Sequence, residues 1–374
     1  ESEVVNAEES SSTDEIDYES RFLSPRLREQ LKKRRMIFSK NHIELSTIIG
    51  QGKSGLLVHR AYLETPRGKE LVAVKTVKAL FSRNDVKRLG KEVFTMFSLK
   101  HTNVMSLRGV CVAAESPLLI MPFMTNGSVL EFVQHHKDEL LCISTEAKVE
   151  IARERLLKIC HQISKGMEYL SLRNVVHRDL GASNCMIDND GVIKVADFGL
   201  AKNMHGTDYF RQGKGEGEDE EVPIKWMAPE SLEEDIYTEA TDVWSFGVTV
   251  WEVFTCGRIP YIDIPVVHLL EALKGGQRLE KPQNEACMDE IYDTMRSCWS
   301  LKPTDRPKFL DLVGMLGTLL ERSSCMCQTS SKLDMSQFLH SNIPLSSPPT
   351  ALTPPVIQEQ DAEDEDDDEA EDEF

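Results

Sequence analysis

The stretch VVHRDLGASNCMID at residues 175–188, with KVADFGLAK at 194–202 and IKWMAPE at 224–230, decides how this chain is to be read. Each piece carries polar residues that phosphoryl transfer to a protein hydroxyl needs, in the order it needs them. Such a transfer asks for few covalent players and much charge neutralisation, because negative charge spreads over the moving group.

His177-Arg178-Asp179, Asn184, Asp197-Phe198-Gly199 and Ala228-Pro229-Glu230 resemble the protein kinase family, and more narrowly the receptor tyrosine kinases. The resemblance extends from about His42 to Leu320. It implies an α+β, bilobal fold: a small antiparallel β-sheet lobe with one helix, a larger mainly helical lobe, and ATP in the cleft between. It implies that Asp179 orients the incoming hydroxyl and accepts its proton, and that Asn184 and Asp197 hold Mg²⁺. Hard oxygen ligands of this kind suit Mg²⁺ better than a softer metal. The resemblance also puts His177 and Phe198 in a buried stack with Met96 and Leu107. Asp242 would anchor the catalytic loop, and Glu230 would pair with Arg306.

Upstream, IELSTIIG, LLVHRAYLE and ELVAVKTVK read as strands, and Gly50, Gly52 and Gly55 lie between the first two. A dinucleotide fingerprint needs a helix after its glycines, and LLVHRAYL is strand-like. A Walker A loop would put its first glycine at position 47, which is Thr. A glycine-turned hairpin fits, because missing side chains let backbone N–H groups approach phosphates. Val72-Ala73-Val74-Lys75 then places an ammonium on a strand. Glu92 is its expected partner, on a helix marked by Val86, Leu89, Val93, Met96 and Phe97. The resemblance places the nucleotide against Ile49, Gly50, Gln51, Gly52, Lys53, Ser54, Gly55, Leu56 and Leu57 of the hairpin. Ala73, Lys75, Met121, Pro122, Met124 and Met186 complete that set, with Met121 guarding the back of the pocket. Asn126-Gly127-Ser128 matches a glycosylation sequon by chance, and Leu156–Leu170 reads as a long core helix.

Trp226 and its neighbours carry tyrosine-kinase wording, and LIMPFM and TDYFRQG resemble the hepatocyte-growth-factor receptor and its Axl-like relatives. The catalytic loop departs from the family: HRDLGASN stands where HRDLAARN is usual, so Ser183 replaces an arginine that steers the tyrosine hydroxyl. No Lys stands at Gly181 either, which argues against the serine/threonine class. Tyr209, followed by Phe210, is the expected autophosphorylation site, with Arg178 and Arg211 to pair with its phosphate. The acidic run Glu216–Glu221 reads as a solvated, mobile loop.

The 374 residues, 40% of them hydrophobic, suffice for two core-bearing lobes. Eight acids in residues 1–20 and eleven in 361–374, with no Lys or Arg in either, account for the whole net charge of −19. The acidity belongs to the ends, which speaks against a nucleic-acid partner. The nine cysteines are scattered and read as reduced thiols. Three domains are expected: a largely disordered juxtamembrane-like segment at 1–41, a kinase domain at 42–320, and a disordered acidic tail at 321–374. The kinase domain divides into lobes at 42–120 and 125–320. The basic run RLREQLKKRRMIF, 26–38, is read as a solvated helix face packing Leu27 and Leu31 inward, with contact to an anionic leaflet as the alternative. The tail has no tyrosine, so a phosphotyrosine-reading adaptor would use Tyr18. The chain is expected to be a fragment lying at the cytoplasmic face of the plasma membrane, with the membrane span not in this chain. It would act on tyrosine-containing proteins and self-associate during activation. A pseudokinase scaffold, suggested by Gly181-Ala182-Ser183, and a cytosolic non-receptor kinase are the rivals.

Overall fold

All three strand-like runs before residue 80 form strands. A computed structural model describes residues 22–51, 56–77, 83–112, 117–141, 145–203, 210–211 and 223–327. In it β1 spans Ile43–Gln51, β2 Leu56–Thr65 and β3 Gly68–Val77. β2 and β3 pair without a break from Leu56↔Val77 to Thr65↔Gly68. Thr65 closes their turn, its hydroxyl donating to the Gly68 carbonyl at 2.8 Å and accepting the Arg67 N–H at 3.2 Å. With β4 (Gly109–Cys111) and β5 (Leu118–Pro122) the antiparallel order is β1-β2-β3-β5-β4. Alternation divides β3. Val72 and Val74 join Ala61, Leu63 and Ile120 in one apolar layer, which leaves Ala73 and Lys75 on the other face.

Ahead of the sheet, Ser24 caps α1 (Pro25–Lys33), accepting the Leu27 N–H at 3.3 Å. Leu27 and Leu31 are buried, while Arg26, Lys32, Lys33, Arg34 and Arg35 are exposed. The basic run is thus the outer face of a helix packed on the body. Ile37 then pairs in parallel with Val110 on the sheet edge. Within the segment 1–41 expected to be largely disordered, residues 22–41 are therefore folded. Between β3 and β4 lies α2 (Arg83–Ser98), with Val86, Leu89, Val93 and Met96 buried.

After β5 the chain makes α3 (Val129–His135) and α4 (Lys137–Leu141). Ser128 and Glu131 form a reciprocal capping box on α3, and Asn126 donates to the Asp188 carbonyl at 2.6 Å. The sequon-like triplet is a helix entry. α5 (Glu146–Leu172) starts well before the apolar run at Leu156, because Val149 and Ala152 already lie on its buried side. Short pairs follow: β6 (Val175–Val176) with β9 (Lys202–Asn203), and β7 (Cys185–Ile187) with β8 (Ile193–Val195). β10 (Phe210–Arg211) pairs with β11 (Ile236–Tyr237), after α6 (Pro229–Glu234). α7 (Glu239–Phe254) is buried on every side from Thr241 to Phe254, the carboxylates of Asp242 and Glu252 included. α8 (Val266–Lys274), α9 (Asp289–Cys298) and α10 (Phe309–Cys327) complete this lobe, α10 lying along α5. Trp244, Phe246, Phe254, Trp299 and Phe309 are fully buried in its core, each contributing roughly 1.5–3 kcal/mol.

The lobes are pegged together at Asn103. Its side chain donates to the Ile193 carbonyl at 2.9 Å and to Gln162 at 3.1 Å, and its carbonyl accepts the Val195 N–H at 3.0 Å. A β-carbon at Gly166 on α5 would lie 2.4 Å from that carbonyl oxygen. Gly166→Val is expected to lower stability by about 1–3 kcal/mol, read by urea unfolding. Gly314→Ala, on open helix surface with nothing within 4 Å of the new methyl, should instead gain up to ~1 kcal/mol.

Candidate active site

One strand, one helix and one loop meet at Lys75. Its Nζ lies 2.9 and 3.1 Å from the carboxylate oxygens of Glu92 on α2, and 3.0 Å from Oδ1 of Asp197. Lys75 and Glu92 are both buried, so each charge depends on the other rather than on water. Burial by itself would lower the lysine's pKa. The carboxylates of Asp197 and Glu92 outweigh it and raise that pKa, so the group stays an ammonium. The Asp197 side chain is 41% exposed. Partial burial pushes its pKa up, but Lys75 prevails, and with the Gly199 N–H it holds Asp197 down at about 2.

The loop between β6 and β7 rests on two carboxylates of α7. Asp242, in the first turn, accepts the N–H groups of His177 at 2.7 Å and Arg178 at 3.0 Å. Glu252, near the helix end, accepts the Ala182 N–H at 3.1 Å and the Trp226 indole N–H at 2.7 Å. Burial raises the pKa of Asp242 to about 6 and of Glu252 to about 7, with those accepted bonds acting against it. One tautomer of His177 satisfies its surroundings: Nε2 donates to the Ala196 carbonyl at 2.9 Å while Nδ1 accepts the Asp179 N–H at 3.3 Å. The His177 ring lies 5.4 Å from that of Phe198. Met96, Leu107, His177 and Phe198 are all buried. Arg178 and Asp197 sit at φ +72° and +59°, a region that side-chain-bearing residues hold only where the surroundings dictate it. Asp179 remains partly exposed, and its carbonyl accepts the Asn184 side-chain N–H at 2.6 Å. Ser183 is exposed.

The remaining residues assigned to the nucleotide gather on neighbouring elements. Gly50 faces Val58 and Gln51 faces Leu57 across β1 and β2, one step beyond Ile49 and Leu56. Ala73 faces Met121, and Val72 faces Pro122, across β3 and β5. Met124 is buried just beyond, and Met186 of β7 bridges to Ser128 at the start of α3. Gly52, Lys53, Ser54 and Gly55 lie outside the described residues, as do Tyr209 and Tyr18. A cavity of about 170 Å³ lies elsewhere, between residues 258–264 and 277–283, and holds none of these groups. In the lower lobe Arg306 forks onto Glu230, at 2.6 and 2.9 Å.

The model of the protein tyrosine and serine/threonine kinase family matches residues 43–316, a span that runs from β1 through Lys75, Glu92, Asp179, Asn184, Asp197 and Asp242 to Arg306. The chain belongs to this kinase family. Kinases of this kind use ATP with a divalent metal. The chain is 39% identical over 299 residues to the tyrosine-protein kinase transforming protein RYK of avian retrovirus RPL30, covering 78% of this chain and 65% of that protein. It is 39% identical over 280 residues to the tyrosine-protein kinase Mer of Mus musculus, covering 73% and 27%. To the tyrosine-protein kinase receptor TYRO3 of Xenopus tropicalis it is 33% identical over 318 residues, covering 83% and 34%. It thus spans less than two thirds of each of these relatives.

Glu252 is the site residue that sequence reasoning passed over. Its one signal was a lone carboxylate in the apolar run VTVWEVF. No helix among the described residues of this kinase is long and apolar enough to cross a membrane, and Cys111, Cys160, Cys185, Cys256, Cys287 and Cys298 are free and buried. Because burial lifts the folded-state pKa of Glu252 above its unfolded value, the folded kinase holds this proton more tightly. The associated stability is full below about pH 4.5 and is lost as pH rises through about 7. Glu252→Gln removes that loss, so urea unfolding should show the variant's stability falling less than the wild type's between pH 5 and pH 8.

Proposed function

We propose that this chain is the catalytic part of a receptor tyrosine kinase, transferring the γ-phosphoryl group of ATP to protein tyrosine. The observation that carries the reading is the placement of the Lys75 ammonium between Glu92 and Asp197, both within 3.1 Å. Lys75, held by Glu92, neutralises the nucleotide's α- and β-phosphates. Residues 49–57 of the glycine hairpin cover the phosphates. Ala73, Met121, Pro122, Met124 and Met186 surround the base, with the backbones of Pro122 and Met124 as its hydrogen-bonding edge. Asp179 orients the tyrosine hydroxyl and takes its proton as the oxygen attacks phosphorus and the bond to the ADP oxygen breaks.

The donor set suits Mg²⁺. Asn184 spends its amide N–H on the Asp179 carbonyl, which leaves its oxygen for a hard cation. Asp197 engages Lys75 and Gly199 through Oδ1, leaving its second oxygen. Bound there, the metal would supply charge neutralisation at the phosphates. Tyrosine is favoured over serine by the wording around Trp226 and by the relatives' names. The self-association, the position at the cytoplasmic face of the plasma membrane and an adaptor at Tyr18 belong to the receptor reading.

With Mg-ATP and a tyrosine-containing copolymer, the purified chain should form phosphotyrosine, and Lys75→Met and Asp197→Asn should abolish it. Asp179→Asn should lower kcat by about 10²–10⁴ while nucleotide still binds. Nucleotide binding without any transfer, in a chain phosphorylated at Tyr209 by another kinase, would favour the scaffold instead. Tyr209 is the proposed activating site. Preincubation with ATP should therefore raise wild-type activity several-fold and leave Tyr209→Phe unstimulated, and equal stimulation of both would remove it.

A further inference from the structure

We infer that Phe22 and Leu23, with α1 behind them, are positioning residues for the Lys75–Glu92 pair, so that the working kinase begins at Phe22 and not at Ile43, where the family match starts. The inference rests on the phosphotransferase reading and deepens it.

Phe22 and Leu23 are each only 2% exposed, and with Leu27 and Leu31 they share one core with Val86, Leu89, Val93 and Met96 of α2. The strap lies against the helix backbone itself. A β-carbon on Gly90 would stand 2.1 Å from the Phe22 carbonyl oxygen, so this helix position excludes any side chain while the strap is in place. A glycine inside a helix is a poor choice for the helix alone and a necessary one for close approach. Towards the helix end the strap takes a second grip. Arg34 donates to the Phe97 carbonyl at 3.4 Å, and its guanidinium lies 4.2 Å from the centre of the Phe97 ring.

Glu92 stands between these two grips. Two residues beyond Gly90, it projects roughly 200° further round the helix, towards Lys75. Pinned from behind at Gly90 and at Phe97, α2 cannot roll Glu92 away from the ammonium. Nothing in the 43–316 family match supplies this backing, since both grips come from residues 22–34. Loss of the strap would leave a buried ammonium and a buried carboxylate free to part, which neither tolerates without the other.

The test uses the full chain in two forms, Phe22→Ser/Leu23→Ser and Gly90→Ala, each in the native and the Glu92→Gln background. Turnover is counted per nucleotide-binding site, so that loss of folded protein does not enter. Both forms should lower kcat about ten- to a hundredfold in the native background, the scale of an ångström-sized misplacement. In the Glu92→Gln background the loss should be under about twofold, because the strap then has no pair left to hold. Phe22→Leu should keep the native rate. An equal loss in both backgrounds, or none in either, overturns the proposal. Hydrogen exchange gives a readout that does not need catalysis. Amides of residues 86–97 should exchange faster in both forms while those of α5 and α7 stay unchanged, and unaltered exchange in α2 overturns the proposal. Wild-type protein that fails to transfer phosphate would instead sink the phosphotransferase reading alone.

Discussion

The ion pair between Lys75 and Glu92 joins a strand to a helix that share no backbone hydrogen bond, and the site depends on it. A buried pair of this kind is weak as a source of stability, because desolvation consumes most of the Coulombic gain. Its value is positional. The placement of α2 against β3 brings both carboxylate oxygens within 3.1 Å of Nζ, and it also presents the ammonium to Asp197 from the other lobe. The small lobe's geometry is therefore set from three directions: the sheet through β3, the cleft through Asp197, and the N-terminal strap through Gly90.

The large lobe solves a comparable problem with one helix. α7 is buried from Thr241 to its end, and its two inward carboxylates, Asp242 and Glu252, hold the backbone of the catalytic loop at His177, Arg178 and Ala182. Burying carboxylates is costly, and their raised pKa values record it. The benefit is rigidity, since a loop fixed by charge-assisted bonds from a core helix has little freedom to drift. Through Trp226 the same Glu252 ties that loop to the segment leading into α6. Ser183 is exposed, outside this frame, and leaves its anchoring intact.

Much of this was legible in the residues. The alternating run Leu71–Val77, the helical spacing of Val86, Leu89, Val93 and Met96, and the polar set from His177 to Asp197 each carry a local signal. They suffice for the fold and for which side chains gather at Lys75. What escaped depends on packing that no short window encodes. The inward turn of Leu27 and Leu31 was expected from their helical spacing, but Phe22 is an unremarkable aromatic until Gly90 lies against its carbonyl. Glu252 carried no motif because its partners, Ala182 and Trp226, are distant in sequence. The early start of α5 was hidden by a charged surface face whose inner positions, Val149 and Ala152, are few.

Asn103 alters what the word lobe means for this chain. Residues 100–105 sit in the sequence between two elements of the small lobe, yet they are hydrogen-bonded to β8 and fitted against α5. The spatial border between the lobes is therefore not a border along the polypeptide. A gene fragment cut at the linker after β5 would carry away the peg and leave its socket behind. A chimaera that takes one lobe from this chain must accordingly keep Asn103 and Gly166 together as a matched pair.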